Sequence, residues 1–372
     1  MLVVSGLTTT PNGSEPLEHH TVPQTYLRAF AQKPHGLLVF STRRRLVDQL
    51  QNLTYKTVKK ATTVRDFYTL VASDSSRDVA IEKRLSVLEN EYPRIKTAVR
   101  SGKPLTGEQR AMIALLAAVQ DTRTVNHQQN WSDAWAGVLD LSERMLRNTM
   151  PEASDAEIQQ RLQQVVRDNF TSRDVAPTGQ NLSLIGLGAA LKVRHAIMSR
   201  MNMCILESAA HDFMTSDHPV TWINPVRYPP DPVYGFNFLH LANEVTYPLT
   251  PRHCVFMSYL PVVPRMKIGE ELVRRVNARL VVYSRELYAK PTDVPVDLKR
   301  YALDIFASTN ADSIANPITN VVADASESRG AIRLREVADE LGQDWSYIAK
   351  ENERFVRGLQ DGGRDMSEVT WA

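Results

Sequence analysis

The chain has 372 residues, 43% of them hydrophobic and 23% charged, with a formal net charge of +2. This size and composition suit a globular protein with a sizeable core, and the near-neutral balance excludes a global electrostatic pull toward nucleic acid or a membrane surface. Two cysteines, Cys204 and Cys254, are too few for a disulfide scaffold or a cysteine-rich zinc site and fit a reducing cytosol.

Residues 1–17, rich in Thr, Pro, Gly and Ser, read as a flexible leader with no basic, apolar signal pattern. No apolar run approaches the ~20 residues of a membrane span, so no membrane partner is expected. Next comes Glu18-His19-His20-Thr21-Val22-Pro23-Gln24-Thr25-Tyr26-Leu27-Arg28-Ala29-Phe30. Two imidazoles beside an apolar bend need hydrogen bonds, a carboxylate or a metal. The His-x-Val-Pro order resembles the first strand of His-Asn-His nucleases. That fold also needs an Asn and a further His within a few dozen residues, and here only His35 precedes His127.

Gly36 to Ser41 reads as a short strand, closed by Arg43-Arg44-Arg45, a run better suited to solvated surface than to a nucleic-acid groove. Ile81, Leu85, Leu88, Tyr92 and Ile95 predict one helix from Asp78 to Arg100, broken by Ser101-Gly102-Lys103-Pro104. Thr106 caps the next helix, which ends in Gln120-Asp121-Thr122-Arg123. Gln120 and Arg123 share a side, and Glu89 or Glu91 is the natural partner for the arginine. Further helices are predicted at about 131–149, 154–170 (N-cap Ser154) and 183–202.

From Cys204 the chain turns to β-branched, aromatic and proline-rich sequence. Short strands are predicted at about 204–207, 220–223, 245–248 and 254–259, then helices from Gly269 to Leu287 and at about 296–308. Between the strands, Thr215-Ser216-Asp217-His218-Pro219 is a polar turn. Its carboxylate either serves as a simple Asx-type turn or orients a histidine such as His20. The expected architecture is α+β, helix-dominated, with a small, mostly antiparallel sheet. It comprises a main domain of 18–310 and a helical C-terminal tail of 323–372. Ala338, Gly342 and Ile348 sit where a helix-turn-helix has its small, turning and buried residues. Asp344, the charged Glu351 and the lack of base-reading side chains favour a docked hairpin over a DNA reader.

The order of motifs is itself informative. A His-His-x-Val-Pro-x-x-Tyr-Leu-x-x-Phe entry is followed by Phe67-Tyr68, by Ile81-Glu82-x-x-Leu85 with Glu89, and by Gln120 and Arg123. Thr215-Ser216-Asp217-x-Pro219, Pro248-Leu249-x-Pro251, Asn277 and Val282-Tyr283-Ser284 complete the series. Together these resemble the microbial family catalogued as domain of unknown function 4238, over about residues 18–290. The resemblance implies a fold and a shortlist of site residues, with no established reaction.

The polar residues at motif positions are His19, His20, Glu89, Gln120, Arg123, Ser216 and Asp217. Convergence in one pocket gives the outline of a hydrolytic or phosphate-binding site. His19, His20, Asp217 and Glu89 are the catalytic candidates, with Arg123, Gln120 and Ser216 holding an anionic substrate. His20 and Asp217 would share a divalent metal. The expected activity is metal-assisted hydrolysis of a phosphodiester or related anionic substrate, as in a nuclease. The other expectation is a non-catalytic binding or regulatory protein in which these residues form a structural polar network.

Overall fold

The computed structural model describes residues 18–32, 36–41, 54–71, 77–170, 179–225, 238–290, 318–322 and 330–361. The expected leader, the Arg43–Arg45 run, the helix at 296–308 and the last residues of the tail lie outside this set. Among the described residues the fold is mixed, with small, mainly antiparallel sheets beside a helical layer and further helices at the C-terminal end.

The entry strand β1 (Glu18–His20) pairs antiparallel with β4 (Thr63–Arg65), His19 opposite Val64. The single turn α1 (Gln24–Leu27) follows the Val22-Pro23 bend, with Pro23 as its N-cap: extended at ψ 139°, its carbonyl accepts the Tyr26 and Leu27 amides. Its Tyr26 and Leu27, with Phe30 just beyond, are buried. A second sheet joins β3 (Thr54–Lys56), β2 (Leu37–Ser41), β13 (Glu286–Ala289) and β8 (Thr215–Ser216), in that order. Between them in sequence, β5 (Leu70–Val71) and β6 (Arg77–Asp78) form a short antiparallel pair.

The single helix expected over 78–100 is two helices, α2 (Ala80–Glu89) and α3 (Tyr92–Arg100). The break falls at Asn90-Glu91, just ahead of Pro93, whose ring cannot sit inside a continuous helix. α4 (Gly107–Thr122) opens with a reciprocal capping box between Thr106 and Gln109 and is followed, after Arg123 and Thr124, by the long α5 (Val125–Thr149). α6 (Asp155–Phe170) begins at the predicted Ser154, whose hydroxyl accepts from the Glu157 amide while Glu157 reaches back to the Ser154 amide. α7 (Gly179–Met198) runs against α4 and α5.

The main sheet has the order β12 (Arg265–Ile268), β7 (Asn202–Ser208), β11 (His253–Ser258), β10 (Glu244–Thr250), β9 (Thr221–Ile223). All pairings are antiparallel except β12 with β7. The helix expected to reach Leu287 ends sooner. α8 (Glu270–Tyr283) stops at Ser284, which is extended, and Glu286–Ala289 becomes the centre of the second sheet. The short α9 (Thr319–Val322) packs Ile318 and Val322 beside Phe213 and Phe256.

The C-terminal pair α10 (Gly330–Glu340) and α11 (Trp345–Asp361) docks on the body. Leu334, Val337, Ala338 and Ile348 join the main core. Asn352 donates to the Leu239 carbonyl and accepts from the Leu241 amide. No helix among the described residues is long and apolar enough to cross a membrane.

Candidate functional site

Gln120, Asp121, Thr122, Arg123 and Thr124 are five consecutive polar residues, all buried. Burial without partners would cost each of them kilocalories, so their bonds define the polar heart of the molecule. Thr122 donates back to the Ala118 and Val119 carbonyls of its own helix, and the other four face two different neighbours.

Gln120 and Arg123 serve the entry strand. Gln120 donates through Nε2 to the Thr21 carbonyl at 3.1 Å. Arg123 donates to Glu89 Oε1 at 2.8 Å, to the His20 carbonyl at 2.5 Å and to the Tyr68 hydroxyl at 3.2 Å, and its cation lies over the Tyr68 ring. His19 accepts the Tyr68 amide at Nδ1 (2.8 Å) and stacks on that ring. His20 is half-buried: Nδ1 faces the Ala61 carbonyl and Nε2 takes the Gln24 amide at 2.8 Å. This pattern assigns the neutral, Nδ1-protonated tautomer, and burial holds its pKa below the ordinary histidine value. Thr62 bridges this turn from a positive φ of 58°, a strained setting for a β-branched residue, with its hydroxyl donating to the Val22 carbonyl. Nearby, Glu82 is pushed up by burial, with Arg123 pulling the other way.

Ser216 and Asp217 lie elsewhere. Asp217 Oδ1 accepts the amides of Arg285 (2.9 Å) and Glu286 (3.1 Å), fastening β8 to β13. The Ser216 hydroxyl accepts the His218 amide at 3.0 Å. The seven expected residues therefore divide. His19, His20, Glu89, Gln120 and Arg123 meet around the entry strand, while Ser216 and Asp217 hold the turn that carries His218. Tyr26 links the two regions, its hydroxyl bonding Thr215 Oγ1 at 2.6 Å and the Pro248 carbonyl at 2.5 Å. His20 and Asp217, the expected metal pair, bond into different sheets. Among the described residues no three His, Cys, Asp or Glu side chains gather as a ligand set.

The second face of the polar run is the one sequence reasoning missed. His218 Nδ1 lies 2.7 Å from the Thr124 hydroxyl, and its Nε2 lies 3.5 Å from Asp121 Oδ1. Asp121 Oδ2 accepts Arg194 Nε at 2.6 Å. With Nε2–H toward the carboxylate, Nδ1 is left as the acceptor of the Thr124 proton. Thr124 also caps α5, accepting the His127 amide at 3.3 Å. Its oxygen therefore sits at the positive end of a 25-residue helix. His218 stacks on Tyr283, whose carbonyl takes the Asn126 side chain, and Arg194 lies over the Phe238 and Trp222 rings. Although burial opposes it, the Arg194 charge and the His218 hydrogen bond bring Asp121 down to about 2. The group reaches solvent through Arg194 and His218, whose side chains are 14% and 11% exposed. The only sequence signals were Asp121 and Thr124 three apart at a helix end and a histidine following Asp217.

Here the chain can be compared with known proteins. Residues 18–293 match the model of a family described as "Protein of unknown function (DUF4238)". The chain belongs to that family. No curated protein and no solved structure matches it. The stretch shared with the DUF4238 model takes in the entry turn, the α4–α5 junction and the Ser216–His218 turn, so both polar groups lie inside it. α10 and α11 lie beyond it.

His127 in this DUF4238 chain stands beside the same group, with Nε2 buried and unpaired among the described residues. Burial drops it to about 4, opposed by Asp121 and assisted by Arg194 and His218. Between about pH 4 and the ordinary histidine value the unfolded chain holds a proton that the native state refuses, so stability rises with pH across that window. The slope approaches about 1.4 kcal/mol per pH unit for one proton. Urea midpoints measured from pH 4 to 7 should climb in the native protein and flatten in His127→Gln; an unchanged slope in the variant would exclude His127 as the source.

Proposed function

We propose that the chain is a hydrolase of anionic esters, a phosphodiester or a related substrate, working through Asp121, His218 and Thr124. The entry-strand network then serves as its scaffold. The observation that carries this reading is the line of hydroxyl, imidazole and carboxylate, Thr124 Oγ1–His218–Asp121. A base within hydrogen-bond reach of a hydroxyl, oriented by a third group, is the recurring arrangement of nucleophilic catalysis.

In the proposed step His218 Nδ1 takes the Thr124 proton as Oγ1 attacks the ester centre. Asp121 balances the imidazolium, which then gives its proton to the leaving alkoxide. Water, deprotonated by the same nitrogen, releases the product and restores Thr124. The α5 N-terminus and Arg194 favour an anionic substrate. Ser216, bonded to the His218 amide, and Asp217, bonded to the neighbouring strand, position the imidazole.

The metal-assisted reading with His20 and Asp217 has less behind it, since each is bonded to separate partners. The nucleic-acid reading of the C-terminal helices also has less behind it, since their apolar faces are spent on the core. One experiment separates the readings. The full chain is assayed on p-nitrophenyl acetate, bis(p-nitrophenyl) phosphate and a labelled oligonucleotide, with Mn²⁺ and with EDTA. We expect ester turnover that falls by roughly 10²–10⁴ in His218→Gln and in Thr124→Val, with circular dichroism unchanged. Turnover that needs Mn²⁺, survives His218→Gln and fails in a folded His20→Ala would move the site to the entry strand. No turnover on any substrate would leave both networks structural.

A further inference from the structure

We propose a second, separate site: the cleft between the first turns of α4 and α10 and the α7–β7 connection binds the phosphate group of a small organic phosphomonoester. The cleft has a volume of about 320 Å³. That lies at the small end of the range for ligand sites and suits a mononucleotide-sized molecule. Three guanidiniums line it, those of Arg110, Arg200 and Arg333, against one carboxylate, Glu336. They come from three elements: Arg110 from α4, Arg200 from the connection and Arg333 from α10. Planar forks approaching from several directions match the tetrahedral oxygens of phosphate better than a flat carboxylate.

Arg110 is the most available of them. It is exposed, its Nη2 reaches only the Met203 carbonyl at 3.2 Å, and it pairs with no carboxylate among the described residues. Arg200 is shared with Glu340 at 2.5 Å and with Glu336 at 3.9 Å, so an incoming phosphate competes with these acids. Met198, Met201 and Met203 also line the cleft, each of them largely buried. Methionine adapts to flat or irregular surfaces, so the cleft offers contact to an organic body as well as to its phosphate. Arg110 and Asp121 lie eleven residues apart on α4, roughly 16 Å along its axis, so this cleft is distinct from the proposed catalytic group.

The test is calorimetric titration of the full chain with adenosine monophosphate and with inorganic phosphate, at ionic strength matched with chloride. Saturable binding is expected for both, tighter for the nucleotide. Arg110→Ala should weaken nucleotide binding by roughly 10-fold or more. Glu336→Gln, which removes the carboxylate that lines the cleft while Arg200 keeps its Glu340 partner, should tighten it. Because Arg110 and Glu336 are both exposed, neither variant threatens the fold. No saturable binding, no preference for the nucleotide over phosphate, or an Arg110→Ala variant that binds like the native chain would each overturn the proposal.

Discussion

Arg123→Leu should lower stability by about 3–5 kcal/mol, the cost of breaking a buried ion pair from one side. The side chain is 1% exposed and bonds Glu89, the His20 carbonyl and the Tyr68 hydroxyl. Leucine fills part of the volume and replaces none of these donors. The His20 carbonyl and Tyr68 lose a donor in a dry setting, whereas Glu89, 19% exposed, can turn toward water and moderates the loss. Arg123→Lys tests geometry against charge. Lysine keeps the cation but cannot reach three acceptors set around a planar fork, so it should recover less than half of the loss. Burial opposes the charge, but the Tyr68 and Glu89 contacts outweigh it, so the group stays a cation at every accessible pH and the loss should not depend on pH through the arginine itself. Urea unfolding followed by circular dichroism measures both variants. A loss below about 1 kcal/mol for Arg123→Leu would mean that the entry strand does not depend on this residue.

Much of the fold could be read because apolar spacing reports it directly. Helices over 107–122, 155–170 and 179–198 and the strands around Cys204 and Cys254 carry patterns that packing obeys. Elements that packing defines from outside were harder to read. Glu286 and Leu287 read as the end of the helix that starts at Gly269, yet Glu286–Ala289 pairs with β2 on one side and β8 on the other. Arg265–Ile268 alternates polar and apolar residues and gives little sign of lying parallel to β7. Within the site, the Arg123–Glu89 pair was legible because both side chains project from neighbouring helices. The bonds of Gln120 to the Thr21 carbonyl and of Asp217 to the Arg285 amide were not, because backbone partners carry no residue label. The same reason hid His218. Asp217 looked like the functional member of its turn, but its carboxylate is spent on the backbone, and it is the adjacent imidazole that meets Asp121 and Thr124.

The largest single loss should come from Glu244. Neither it nor Arg279 is exposed at all, and Arg279 Nη2 donates to Glu244 Oε2 at 2.6 Å. The same carboxylate accepts the Ile318 amide at 3.1 Å, the Thr319 amide at 2.7 Å and the Thr319 hydroxyl at 2.5 Å. Glu244→Ala takes this counter-charge from a fully buried guanidinium and removes the carboxylate that accepts the first donors of α9, at a cost of about 3–5 kcal/mol or more. Glu244→Gln separates the two roles. Its amide oxygen can still accept from Thr319, while the charge opposite Arg279 is gone. If the ion pair dominates, Gln is nearly as damaging as Ala, and Arg279→Met added to Glu244→Gln restores part of the loss by removing the buried cation that had faced Glu244. If anchoring α9 dominates, Gln is mild and the added Arg279→Met makes matters worse. The buried position of both charges favours the first outcome, because loss of the Glu244 charge opposite a buried cation costs more in a dry core than one weakened amide bond. Hydrogen exchange places the damage. The Ile318 and Thr319 amides should lose protection first in Glu244→Ala, ahead of the β10–β11 ladder, since they bond to the missing carboxylate while the ladder keeps its own pairing. Uniform loss across both regions would instead mean that the pair holds the whole sheet rather than the segment docked on it.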